Sequence, residues 1–136
     1  MRDKPGNEAR YELPGDVNKL VLRNLARIAD IQGVSTVWIF DNKANILSYF
    51  NRLKIDLEGV TSNIAMLDSW ADRVETSLDS ENIKLVYIKF EKLLLFVAPI
   101  TEDKALGIIS SVNAPVGQIF WYLDRHVPRL QKIFAA

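Results

Sequence analysis

The run Leu93-Leu94-Leu95-Phe96-Val97-Ala98 constrains this chain more than any other feature. Six consecutive apolar residues leave no polar face, so a strand built from them must be buried on both sides, and the run is far shorter than the roughly 20 residues of a membrane-spanning helix. It is expected to be a central strand. Residues 34–40 make the same demand: Val34, Trp38 and Phe40 point one way, Val37 and Ile39 the other, and both sets are apolar. A sheet covered by helices on both faces follows.

The covering helices are written in periods of three and four. Val17, Leu20, Val21, Ile28 and Ile31 mark a first helix, with Asp16 as its cap and Gly33 as its stop. The polar turn Asp41-Asn42-Lys43-Ala44-Asn45 joins residues 34–40 to Ile46-Leu47-Ser48-Tyr49-Phe50 as a hairpin. Val60, Ile64, Leu67, Ala71, Val74 and Leu78 then mark a second helix, and Met66 with Trp70, four apart, widens its apolar surface toward either a broad core face or a protein interface. Strands are expected over 83–90, 93–99 and 106–110, the first of them edge-like because Lys84 and Lys89 discourage indiscriminate pairing. Glu91-Lys92 is a tight turn. A last helix, capped by Asn113 and opened by Pro115, carries Val116, Ile119, Phe120, Leu123, Val127 and Leu130, with a kink or break expected at Pro128. The order is α-ββ-α-βββ-α. Residues 1–15, with two prolines and many charges, read as a flexible arm before a single domain over 16–136.

Chemistry is sparse. With 17 basic and 17 acidic residues the formal net charge is zero, which gives no field to attract nucleic acid or anionic lipid. The absence of cysteine excludes disulfides, thiolate metal sites and a cysteine nucleophile. There is no GxxxxGK[ST], GxGxxG, HExxH or GxSxG motif. The one histidine, His126, stands near the proline-disturbed end of a helix, where exposure is the usual outcome and a catalytic or metal role needs convergent partners. Asp41, Asn42 and Asn45 lack the ligand count of a calcium loop. No catalytic, metal or cofactor site is expected. Asp68, Asp72, Glu75 and Asp79 give the second helix an acidic side, either a solvated face or a contact for a basic partner. Nothing in the N-terminus reads as a signal peptide, so a cytoplasmic location without membrane insertion is expected.

The segment Ile31-Gln32-Gly33-Val34, the strand Ser35-Thr36-Val37-Trp38-Ile39-Phe40-Asp41, the return Ile46-Leu47-Ser48, and the later Lys92-Leu93-Leu94-Leu95-Phe96-Val97-Ala98-Pro99 followed by Leu106-Gly107-Ile108-Ile109 resemble the roadblock/dynein light chain family over residues 16–134. Where the family commonly has glycine after the Asp-led turn, Ala44 and Asn45 stand here, and Asn45 is expected to take the left-handed conformation. The resemblance implies an α+β fold of profilin- or longin-like layout: a five-stranded antiparallel sheet with one helix on one face and two on the other. It also implies dimerisation, with itself or a paralogous chain, through the third strand and second helix, placing Met66, Trp70, Lys84, Val86, Ile88 and Phe90 at the interface. Functionally it implies a non-catalytic scaffold that binds or regulates a Ras-like small GTPase, or a dynein- or Ragulator-like assembly. The alternative is a sensory small-molecule domain of PAS, GAF or longin-like type, for which Ser35, Thr36 and Tyr87 are the available polar groups.

Overall fold

The computed structural model describes residues 13–79 and 81–135. The elements are α1 (Gly15–Ala29), β1 (Val34–Asp41), β2 (Ile46–Asn51), α2 (Leu57–Ser77), β3 (Val86–Lys89), β4 (Leu93–Pro99), β5 (Lys104–Ser111) and α3 (Val116–Ala135). They form one antiparallel sheet in the order β2-β1-β5-β4-β3. The apolar run is thus an interior strand, as its two-sided pattern demands, but the middle position belongs to β5, whose burial is equally unbroken.

Each sheet face carries its own core. Val37, Ile39, Leu94, Phe96, Leu106 and Ile108 pack with Val21, Leu25 and Ile28 of α1 and Ile119, Leu123 and Leu130 of α3. On the opposite face Trp38, Phe40, Leu95, Val97 and Ile109 meet Leu57 and Ile64 of α2. Val34 departs from the expected alternation and joins the α1/α3 core, because the β1–β5 register shifts between Val34 and Thr36. An irregularity of one residue there sends the side chain to the other face.

Several boundaries differ from the sequence reading for local reasons. Pro14, not Asp16, is the N-cap of α1, and Asp16 lies in the first turn, where its charge suits the helix N-terminus. Leu20 is exposed, so it stands off the core stripe. The helix ends at Ala29, four residues before Gly33, which turns the chain at φ 91°; a Cβ there would approach the Ala114 Cβ to 2.9 Å. In the β1–β2 turn Ala44, not Asn45, adopts positive φ, at 66°. The Asp41 carboxylate fixes that turn by accepting from the Lys43 and Asn45 amides, both at 2.9 Å, and from the Asn45 side chain at 3.0 Å.

β3 covers only Val86–Lys89 of the expected 83–90, and residues 83–85 run on without strand pairing. The Glu91-Lys92 turn holds, with the Phe90 amide donating to the Leu93 carbonyl at 2.8 Å. α3 begins at Val116, with the Pro115 carbonyl rather than Asn113 receiving its first amides, and it continues unbroken through Pro128 to Ala135. The second half of α3 is held by its apolar stripe against α1 and the sheet, which compensates for the hydrogen bond that proline removes.

Candidate protein-interaction surface

β3 is the shortest strand and lies at one sheet edge, paired only with β4 from Val86↔Val97 to Lys89↔Leu94. Its alternation splits its side chains. Val86 and Ile88, half-buried, pack beneath α2 with the Trp38 cluster. Tyr87 turns to the opposite face, stacks on Phe96 at 5.0 Å and meets the Phe120 edge at 6.0 Å, yet stays 41% exposed. Phe90, just past the strand end, is 53% exposed, and Lys84 and Lys89 are exposed beside it.

α2 is capped by the Asp56 carboxylate, which accepts from the Gly59 amide at 3.1 Å. Leu57, Thr61, Ile64 and Ala71 form its buried stripe. The stripe is anchored where the Trp38 indole N–H donates to the Thr61 hydroxyl at 3.0 Å and that hydroxyl donates to the Leu57 carbonyl at 2.6 Å. At about 100° per residue, Met66 and Trp70 lie roughly 200° and 240° from Ile64. They therefore project from the outer face, 73% and 57% exposed. The core-face reading of the widened stripe fails for these two residues.

The acidic residues do not make one stripe. Asp72 is exposed on α2, Glu75 is half-buried and accepts from the Ile83 amide at 2.7 Å, and Asp79 lies beyond the helix end at φ 59°. The Asp68 side chain lies outside the described residues, as do Tyr11 and most of the expected N-terminal arm.

The Roadblock/LC7 domain model matches residues 20–110, two-thirds of the sequence. The chain belongs to the Roadblock/LC7 family. No curated protein sequence matches it. Among solved structures, the gliding protein MglB from Thermus thermophilus superposes with a TM-score of 0.81 at 17% identity, covering 90% of this chain and 94% of that one. A structure of MglB with a tetrameric arrangement gives 0.82 at 17% identity, covering 90% and 93%. MglB from Myxococcus xanthus gives 0.77 at 15% identity, covering 89% and 96%.

In this roadblock domain, Thr36 bonds Asn51 at 3.2 Å and Ser35 bonds the Ile109 carbonyl at 3.2 Å within the fold, and Tyr87 contributes its ring to an aromatic stack. A concavity of about 1140 Å³ is an open groove around residues 82–86 at the rim of the sheet. Among the described residues no three His, Cys, Asp or Glu side chains gather to hold a metal ion, and no helix is long and apolar enough to cross a membrane.

His126 overturns the sequence reading of an exposed histidine. It is 3% exposed, its Nδ1 lies 2.7 Å from Asn24 Oδ1 on α1, and its ring stacks on Tyr122 at 5.7 Å. Burial, with Arg129, Arg125 and Arg27 nearby, lowers its pKa from the ordinary 6.5. Periodicity held the one available signal: His126 falls three residues after Leu123 and four before Leu130, inside the apolar stripe.

Proposed function

We propose that this roadblock domain is a non-catalytic, cytoplasmic scaffold that self-associates, or pairs with a paralogous chain, and in that form binds or regulates a Ras-like small GTPase or a larger assembly. The observations that carry the reading are the β3 edge, which has no neighbouring strand beyond it among the described residues and is followed by the 53% exposed Phe90, and the outer face of α2, where Met66 and Trp70 are more than half exposed. Covering an edge of this kind removes a pairing hazard, and burying each half-exposed side chain contributes about 1 kcal/mol, roughly half the value for full burial. The tetrameric arrangement of the MglB neighbour is consistent with a fold that assembles with its own copies. A C2 dimer would bring β3 and α2 against the same elements of a second copy, with Lys84, Val86 and Ile88 at the seam. Asp72, Glu75, Asp79 and Asp68 remain the partner-contact candidates of this reading. A sensory role is less well supported, because both sheet faces are filled by core side chains and the groove at the rim is open.

Solution mass by light scattering over a concentration series tests it, with about 31 kDa, twice the 15.5 kDa chain mass, as the expected result. Phe90→Asp together with Met66→Asp should give the monomer mass with native circular dichroism, since both side chains are exposed in the single chain, and should lower the melting temperature only by what association contributed. Ile88→Asp should also lower the melting temperature, because Ile88 packs on the inner cluster. Pull-down of Ras-like GTPases in defined nucleotide states follows. A monomer at all concentrations with no GTPase retained would overturn the proposal.

A further inference from the structure

The α1–α3 contact is built around one polar pair in an otherwise apolar core. Asn24 Nδ2 donates to the Leu20 carbonyl at 3.0 Å, which fixes the amide so that Oδ1 faces the imidazole. An amide oxygen only accepts, so His126 Nδ1 carries the proton and neutral His126 presents Nε2 as a bare lone pair. Nε2 has no hydrogen-bond partner among the described residues, and the ring is 3% exposed. Among the described residues, the charges that act on it are all positive: Arg27 from α1, Arg125 and Arg129 from α3. No carboxylate among the described residues pairs with it. On the sheet side of α3 the charged group is Lys104, 5.4 Å over the Phe134 ring, eight residues further along the helix. The Tyr122 ring stacks beside the imidazole.

The pair also sits at the weak point of the helix. Pro128, two residues on, has no N–H, so the Asp124 carbonyl lacks its usual helical donor. From there α3 is held to the body by side chains, among them Val127, Leu130, Ile133 and Phe134.

We propose that His126 is an acid-sensitive latch: neutral, it holds the second half of α3 on α1, and on taking up a proton it releases that segment. Protonation leaves the Nδ1–H bond to Asn24 in place. It adds a second N–H at Nε2 that finds no acceptor among the described residues, and a positive charge that Arg129, Arg125 and Arg27 repel, on a ring 3% exposed. The unfolded or undocked chain binds the proton at the ordinary value of 6.5, whereas the docked state resists it. Stability from the latch is therefore fully present above pH 6.5 and lost progressively as pH falls below it toward the lowered folded value, the folding constant falling by at most about tenfold at pH 5.5.

Because His126 is the sole histidine, its ring protons titrate as one resolved signal in the full-length protein. The midpoint is expected below 6.5. The melting temperature at fixed protein concentration should fall between pH 7.5 and 5.5, with faster amide exchange over residues 124–134 once the intrinsic pH effect is removed. His126→Gln, which keeps a donor for Asn24 but cannot charge, should remove the pH-dependent part. A midpoint at or above 6.5, an unchanged melting temperature across the range, or an equal fall in the variant overturns the latch. Should the variant not fold, the wild-type titration and exchange data decide by themselves.

Discussion

Replacing Gly107 by alanine should destabilise this protein far more than a single methyl group ordinarily does. Gly107 lies in the middle strand, directly opposite Trp38 on β1, and the indole lies across it. A Cβ built there would stand 2.6 Å from Trp38 Cη2 and 2.7 Å from Cζ2 and Cζ3. Carbon atoms settle at about 3.5–4.0 Å, so the ring must withdraw by about 1 Å. Trp38 is fully buried, and its N–H is held at 3.0 Å by Thr61, so withdrawal overpacks the α2 face and strains or breaks that bond. Overpacking costs about 1–3 kcal/mol and an unsatisfied buried N–H a further 1–3, less roughly 0.5–1 for removing glycine from a strand. The expected loss is about 2–4 kcal/mol, or roughly 6–16 °C in Tm. Urea unfolding followed by tryptophan fluorescence reads it directly, because Trp38 changes environment most while Trp70 and Trp121 are already more than half exposed. The double variant Gly107→Ala/Trp38→Phe should lose less than the sum of its single variants, since a smaller ring vacates the clash. A loss below 1 kcal/mol for Gly107→Ala, with native fluorescence, would refute the packing argument.

Two further expectations concern the chain's turns. Ala44→Gly should raise the urea midpoint by the equivalent of about 0.5–1 kcal/mol, because Ala44 holds a left-handed φ of 66° that glycine adopts without strain; a lower midpoint would show that the turn is not strained there. Arg52→Ala should cost about 1 kcal/mol, because its guanidinium donates to the Ala29 carbonyl at the end of α1 at 2.8 Å. That cost should be the same in 0.1 M and 1 M salt, since the exposed Arg52–Asp30 pair at 3.9 Å contributes little; strong salt dependence would assign the effect to the ion pair instead.

Much of the candidate surface was legible in residues 57–90. The four-residue spacing of Met66 and Trp70 marked excess apolar surface, and Lys84 and Lys89 marked an edge. Which way Met66 and Trp70 face was not legible, because a stripe two registers wide fits either a broad core or two opposed faces until a sheet is placed against one of them. Spacing alone groups the acidic residues as a set, yet Glu75 is drawn to the Ile83 amide by the path of the chain after α2.

Local pattern determined the element order, the two-sided sheet and the tight turn at Glu91-Lys92, because these depend on neighbours one to four positions apart. Tertiary structure alone decided the rest. Val34 changes face through an irregularity in pairing with β5, His126 is buried because α3 meets Asn24 of α1, 102 residues away, and Gly107 is required because a tryptophan on another strand occupies the space of its side chain. In each case the deciding atoms belong to elements far apart in the sequence, where no period along the chain records what will lie opposite.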